Sequence, residues 1–271
     1  LAISPENFIP PSAIIGIPLI LGVLYVGGGW YALLVGLLVN LGLYEYLTIH
    51  RAGGYHLPVV STALGVNLVL VLVYLDRVDL IYAALTLLFF SLALELLAGF
   101  KRGATTRESA LALWGIIYLG GLGGYLILLR FLPRGILAAG MLLLNVWSCD
   151  IAAYFVGTKW GRRRLAPGIS PQKSVEGALA GLLGAVLLSV GAVQFFPRQL
   201  APLTAGSALL LGLGVAVAAQ LGDLLESALK RQSAVKDSGK LIPGHGGVLD
   251  RFDSLLMAAP FAYYFFLIIN S

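Results

Sequence analysis

The chain has 271 residues, of which 59% are hydrophobic and only 11% are charged, and its mean hydropathy is +0.91. Soluble domains carry about 25% charged residues, so this composition excludes a water-soluble globular protein. The net charge of +5 is then best explained by orientation in a membrane and by attraction to anionic membrane lipids, and we expect no nucleic-acid partner.

Apolar runs separated by glycine, proline and charged residues predict an all-α integral membrane protein with about nine transmembrane helices. The predicted spans cover residues 12–28, 30–49, 57–75, 79–99, 109–129, 135–156, 175–196, 203–226 and 252–270. The first two are separated only by Gly27, Gly28 and Gly29, so this boundary is the weakest in the sequence.

Lysine and arginine are unevenly distributed between the two ends of the predicted helices. With nine spans, the connections on the side of the N-terminus hold 14 of the 18 basic residues, which predicts an N-in, C-out topology. Ten of the 18 lie in two long connections, residues 157–174 and 227–251. We expect these cytoplasmic loops to carry the chemistry.

Residues 220–254 combine acidic, basic and glycine residues in a spacing that suits binding of metal and phosphate. Asp223, Ser227 and Lys230 fall on one helical face, and Glu226 is adjacent to it. A carboxylate near the end of an apolar helix is costly without a partner. That partner is either Lys230, four residues after Glu226, or a divalent cation.

Glycines and further basic residues follow this helix end. Residues 240–247 contain three glycines and Pro243, which allow backbone N–H groups to converge on an anion, and His245 suits a polyphosphate. Asp250 and Asp253 begin the last predicted span. They are interpreted either as helix-capping residues or as ligands.

This stretch resembles the signature of the phosphatidate cytidylyltransferase family. The matching residues are Ser227, Lys230, Arg231, Lys236, Asp237, Gly239, Pro243, His245, Gly246, Gly247, Asp250, Arg251 and Asp253. Residues 149–177 are similar to a second marked segment of that family. They match at Asp150, Ala153, Tyr154, Gly157, Gly161, Leu165, Pro167, Ser170, Pro171, Lys173, Glu176 and Gly177.

The resemblance divides the chain into a C-terminal catalytic region, residues 141–271, and N-terminal transmembrane helices of unassigned role, residues 1–140. In the second segment, Ser170 and Ser174 are equally well explained as helix caps. Lys173 near a helix start is better explained by a bound anion. Glu45, near the inner end of the second span, is interpreted as a structural residue that pairs with a basic residue of another helix rather than as a catalytic one.

The resemblance implies nucleotidyl transfer, in which CTP and phosphatidic acid give CDP-diacylglycerol and pyrophosphate. It implies Mg²⁺, with a second cation as an open alternative, held by Asp223 and Asp250 and less directly by Glu226 and Asp253. The residues expected to act in catalysis are Asp223, Asp250, Lys230, Arg231 and Asp150. Those expected to contact CTP or the lipid headgroup are Ser170, Lys173, Ser227, Lys236, Lys240, His245, Gly246, Gly247 and Arg251.

The family also implies a multi-pass protein of the inner membrane with its active site facing the cytoplasm, and a homodimer stays open. One alternative is a CTP-dependent enzyme that acts on another lipid acceptor. The other is an anion transporter in which the acidic residues bind ions. A transporter predicts charges near the middle of the membrane, whereas these acidic residues cluster at inner span ends.

Overall fold

The computed structural model describes residues 11–233, 235, 239 and 246–270, and most of them are helical. The helices are α1 (Pro11–Val26), α2 (Gly28–Ala52), α3 (Val59–Tyr74), α4 (Ile81–Gly99), α5 (Thr106–Gly115), α6 (Leu122–Phe131), α7 (Gly135–Trp160), α8 (Val175–Phe195), α9 (Pro197–Leu200), α10 (Ala205–Gln232) and α11 (Leu249–Asn270). A π-helical turn, Ile116–Gly121, joins α5 to α6. Two short strands, β1 (Arg164–Ala166) and β2 (Ser170–Ser174), lie between α7 and α8.

Within the described ranges, seven helical stretches are long and apolar enough to cross a membrane. They are Gly28–Ala52, Val78–Gly99, Thr106–Phe131, Gly135–Trp160, Val175–Phe195, Ala205–Gln232 and Leu249–Asn270. Gly16–Val26 and Val59–Tyr74 are shorter apolar helices. Large apolar side chains cover their outer surface, with Tyr82 and Phe195 more than 80% exposed, as expected for contact with lipid. The prediction of a helical membrane protein is confirmed.

The connection predicted at 157–174 is shorter and more ordered than the sequence suggested. Helix α7 continues to Trp160, and β1 and β2 pair as an antiparallel hairpin. The carboxylate of Glu176 accepts hydrogen bonds from the backbone N–H groups of Arg162 and Arg163, at 3.0 and 3.2 Å. Ser174 caps α8 by accepting from the N–H of Gly177 at 3.1 Å, so the capping interpretation of Ser174 is confirmed. This short hairpin is a local addition to a structure that remains consistent with the predicted all-α membrane protein.

Glycines bring the C-terminal helices into close contact. An added Cβ at Gly212 would lie 2.7 Å from the carbonyl oxygen of Ala185, and one at Gly222 would lie 2.6 Å from that of Asp253. Small residues permit such backbone approach between membrane helices, and these two draw α10 against α8 and α11. The N-terminal helices join the same assembly, because α11 also packs against α2 and α6.

Candidate active site

Three carboxylates from α10 and α11 converge at one place. Asp223, Glu226 and Asp253 each present an oxygen, and these oxygens lie within 4.8 Å of one another. Glu226 and Asp253 are only 1% and 3% exposed, whereas Asp223 is partly open to its surroundings. Buried carboxylates at this separation repel one another unless a cation lies near. We name these three residues the carboxylate cluster.

Lys230 lies beside this cluster and is 13% exposed at its side chain. Its Nζ is 2.8 Å from Oε2 of Glu226 and 2.5 Å from Oδ1 of Asp250. The ion pair suggested by the spacing of Glu226 and Lys230 is therefore present. The other Glu226 oxygen, Oε1, is buried and has no hydrogen-bond partner within the described ranges, so it can still bind a ligand.

Asp250 is oriented by the glycine turn that precedes α11. Its Oδ2 accepts from the N–H of Gly247 at 2.9 Å. Gly246 has a φ of 80°, and an added Cβ there would lie 2.8 Å from Oδ2 of Asp250, so only glycine fits without strain. The family resemblance implies that Asp223 and Asp250 are the main metal ligands. The structure groups Asp223 with Glu226 and Asp253 and places Asp250 on Lys230.

The β-hairpin places basic groups next to the carboxylate cluster. Lys173, on β2, has its Nζ 2.5 Å from Oδ2 of Asp223. Arg231 donates from Nε to the carbonyl oxygen of Ile169 in the turn of the hairpin, at 3.2 Å. These two contacts tie the hairpin to α10. The hairpin therefore delivers positive charge to the acidic end of the helix bundle.

The other site residues predicted from the sequence differ in their position and exposure. Asp150, exposed on α7, lies within electrostatic range of Asp223, Lys173 and Arg251. Ser170 lies on β2 and Ser227 on α10, and both are half-buried. Three predicted substrate contacts, Lys236, Lys240 and His245, lie outside the described residues.

Glu45 is a residue of this site whose partners the sequence did not indicate. It lies on α2 and is 1% exposed. Its Oε1 accepts from the N–H of Val248 at 2.9 Å, and its Oε2 accepts from the N–H of Leu249 at 2.8 Å. The first N–H groups of a helix lack partners within it and carry positive partial charge. Glu45 therefore fixes the start of α11, which carries Asp250, Arg251 and Asp253.

Residues 11–269, which are nearly the whole chain, match the model of the cytidylyltransferase family. The chain belongs to the cytidylyltransferase family. It is 35% identical over 94% of both chains to the phosphatidate cytidylyltransferase of Synechocystis sp.. It is 36% identical over 92% of both chains to the phosphatidate cytidylyltransferase of Pseudomonas aeruginosa. It is 43% identical over 60% of both chains to the enzyme of the same name from Bacillus subtilis.

Membership of this family confirms two predictions made from the sequence, the resemblance itself and the assignment as a nucleotidyltransferase. The match extends across the N-terminal helices, although the marked motifs lie in the C-terminal region. Glu45 therefore belongs to the part of the chain that the family model covers. The roles of individual site residues stay predictions.

Proposed function

We propose that the chain is a phosphatidate cytidylyltransferase, which converts CTP and phosphatidic acid into CDP-diacylglycerol and pyrophosphate. The observation that carries this proposal is the carboxylate cluster, lined by Lys173 and Lys230, at one end of an apolar helix bundle. The proposed reaction needs a site that both a water-soluble nucleotide and a lipid phosphate can reach. The names of the relatives in Synechocystis sp. and Pseudomonas aeruginosa supply the substrate class.

The reaction joins two anions, so its main demand is charge neutralisation. A phosphate oxygen of phosphatidic acid attacks the α-phosphorus of CTP, forming a new P–O bond. The bond from the α-phosphorus to the oxygen it shares with the β-phosphate breaks, and pyrophosphate leaves. The attacking oxygen is already ionised near neutral pH, so no general base is required. In this proposal Lys173, Arg231 and Arg251 attract the phosphates and stabilise the leaving pyrophosphate.

Asp223, Glu226 and Asp253 fit a divalent cation. Their oxygens lie close together, and Oε1 of Glu226 has no hydrogen-bond partner within the described ranges. Carboxylate oxygens are the ligands that Mg²⁺ prefers. The bound cation would supply positive charge next to the phosphates. A second cation and a ligand role for Asp250 are further parts of this proposal, and in the present arrangement Asp250 holds Lys230 in place.

The number of membrane crossings and their orientation are part of the same proposal. The nine apolar helical stretches are taken as nine crossings with the N-terminus inside, in a bacterial inner membrane. The site then faces the cytoplasm, where CTP is present. The bias of basic residues toward the hairpin and the connection after α10 supports this orientation. Pairing of two chains as a homodimer is compatible with it.

Mass spectrometry of the products tests the proposed activity. Purified protein in lipid nanodiscs receives CTP and Mg²⁺ with phosphatidic acid, with diacylglycerol or with another lipid phosphate. Formation of CDP-diacylglycerol and pyrophosphate from phosphatidic acid alone is the expected result. A phosphorylated lipid together with CDP would indicate a kinase instead. Absence of any CTP-dependent product, together with anion uptake into vesicles, would indicate a transporter.

A further inference from the structure

Tyr118 carries a buried hydroxyl group that the site described so far does not use. The residue lies in the π-helical turn Ile116–Gly121, and it is 3% exposed. Its Oη has no hydrogen-bond partner among the residues that the structure describes. A buried tyrosine hydroxyl normally has one, and leaving it unpaired costs more inside a membrane protein than at a surface. The hydroxyl therefore calls for a partner that the described residues do not provide.

The three residues of the carboxylate cluster lie within electrostatic range of this hydroxyl. Asp253, Glu226 and Asp223 all act on Tyr118 electrostatically, with Tyr46 as the other titratable neighbour. Helix α6, which continues the π-helical turn, packs directly on α11, the helix that carries Asp253. Tyr118 thus lies in the N-terminal half of the chain, next to an element that packs on α11, and within electrostatic range of the cluster.

The backbone on both sides of Tyr118 packs closely against α2 and α3. An added Cβ at Gly120 would lie 3.0 Å from Cα of Val66, and one at Gly115 would lie 2.7 Å from the ring of Tyr46. A π-helical turn has weaker geometry than an α-helix and occurs frequently at functional sites. The close packing at the two glycines holds the turn that carries Tyr118 against the neighbouring helices.

We propose that Tyr118 is a substrate-contacting residue whose hydroxyl donates a hydrogen bond to a phosphate oxygen of a ligand bound at the carboxylate cluster. This inference rests on the proposed function. Carboxylates only accept hydrogen bonds, so the phosphate needs donors from other elements. A neutral phenol supplies one without adding charge to a buried site. The triphosphate of CTP and the phosphate of the lipid offer the same acceptor chemistry.

The test compares Y118F with Y125F. Tyr125 lies on the same membrane span, but its Oη already contacts that of Tyr264 at 2.9 Å. We expect Y118F to keep or raise thermal stability without substrate, because it removes an unpaired polar group. We expect its kcat/KM to fall about 10- to 100-fold, the effect of losing a hydrogen bond to a charged group. Y125F should keep the kinetic constants of the unmodified protein.

Separate titrations of CTP and phosphatidic acid identify the ligand. A higher KM for CTP alone assigns the bond to the nucleotide, and a higher KM for the lipid alone assigns it to phosphatidic acid. A lower kcat with both KM values unchanged places the bond in the transition state. Kinetic constants of Y118F within about twofold of the unmodified protein would overturn the inference. An unmodified protein that makes no CDP-diacylglycerol would instead contradict the proposed function.

Discussion

Lys230 is the cationic side chain that contacts two buried carboxylates of the site. It contacts Glu226 from its own helix and Asp250 from α11, at 2.8 and 2.5 Å. All three side chains are at least 85% buried, so the ammonium group neutralises carboxylates that water reaches poorly. Removing one member of a buried ion pair is more damaging than replacing the whole group by apolar residues.

Replacing Lys230 by Met should therefore destabilise the protein by about 3–5 kcal/mol, because Glu226 and Asp250 lose their shared cation. Thermal unfolding in detergent measures this as a lower midpoint. The matched control is Lys101→Met, because Lys101 is exposed in another connection. An unfolding midpoint of the Lys230 variant equal to that of the control would show that the ion pairs contribute nothing.

Some contacts between individual side chains could be predicted from the sequence, and others could not. The pair of Glu226 and Lys230 follows from a spacing of four residues, which places two side chains together on any helix. The choice between Asp250 and Asp253 as a member of the cluster does not follow from spacing. It depends on how α11 is rotated against α10, which the close approach of Gly222 to the Asp253 carbonyl determines.

The start of α11 is the element that joins the two halves of the chain. Glu45 binds two of its backbone N–H groups across a sequence separation of more than 200 residues. No local sequence pattern predicts such a contact, because it forms only when α2 packs on α11. An acidic residue near the inner end of an apolar helix predicted pairing with a basic residue of another helix, and it did not indicate these backbone N–H groups.

Glu45→Gln should loosen the first turn of α11 while the chain remains folded. The amide keeps one acceptor oxygen but loses the charge, so local opening should become easier by about 1.5–3 kcal/mol. Hydrogen exchange measured by mass spectrometry should show faster exchange over residues 248–254, and the rate of CDP-diacylglycerol formation should fall about 10-fold.

The control for this change is Glu95→Gln. Glu95 is also an acidic residue on an N-terminal helix, but it accepts a hydrogen bond from the hydroxyl of Ser61. Its variant should leave the exchange of α11 and the rate unchanged. Equal exchange at residues 248–254 in both variants would contradict the role given to Glu45.

Most helix positions could be predicted because apolar runs of membrane length leave few other structures possible. Each of the nine predicted spans overlaps one of the apolar helical stretches. The ends were less predictable, since α7 and α10 extend beyond their apolar parts to Trp160 and Gln232. The β-hairpin was missed because its strands have three and five residues and no alternating pattern.

At the scale of the whole molecule, buried carboxylates from two helices come together within an apolar bundle. The exterior of the spans is covered by large apolar side chains, and the carboxylate cluster lies where α10 meets α11. The sequence assigned no role to residues 1–140. Glu45 gives those helices a place at the site through its hydrogen bonds to the start of α11, and the proposed role of Tyr118 would add a second contribution.

The proposed orientation predicts which connections react from each side of the membrane. Cys149 is 1% exposed, so the unmodified chain provides an unreactive background. Lys101→Cys should react with a membrane-impermeant maleimide only in inside-out vesicles, and Arg198→Cys only in right-side-out vesicles. Gel shifts measure the labelling. Reaction of both positions from the same side would contradict the alternation of the nine crossings.

The dependence of CDP-diacylglycerol synthesis on Mg²⁺, measured side by side for the unmodified protein and Asp223→Asn, tests the central claim most directly. After removal of divalent ions with EDTA, the unmodified protein should lose activity and regain it when Mg²⁺ is restored. The variant should remain monodisperse in detergent and stay at least about 100-fold slower at every Mg²⁺ concentration, because it lacks one ligand of the carboxylate cluster. Full activity in EDTA, or an unaltered Mg²⁺ response in Asp223→Asn, would contradict the assignment of this cluster as the centre of nucleotidyl transfer.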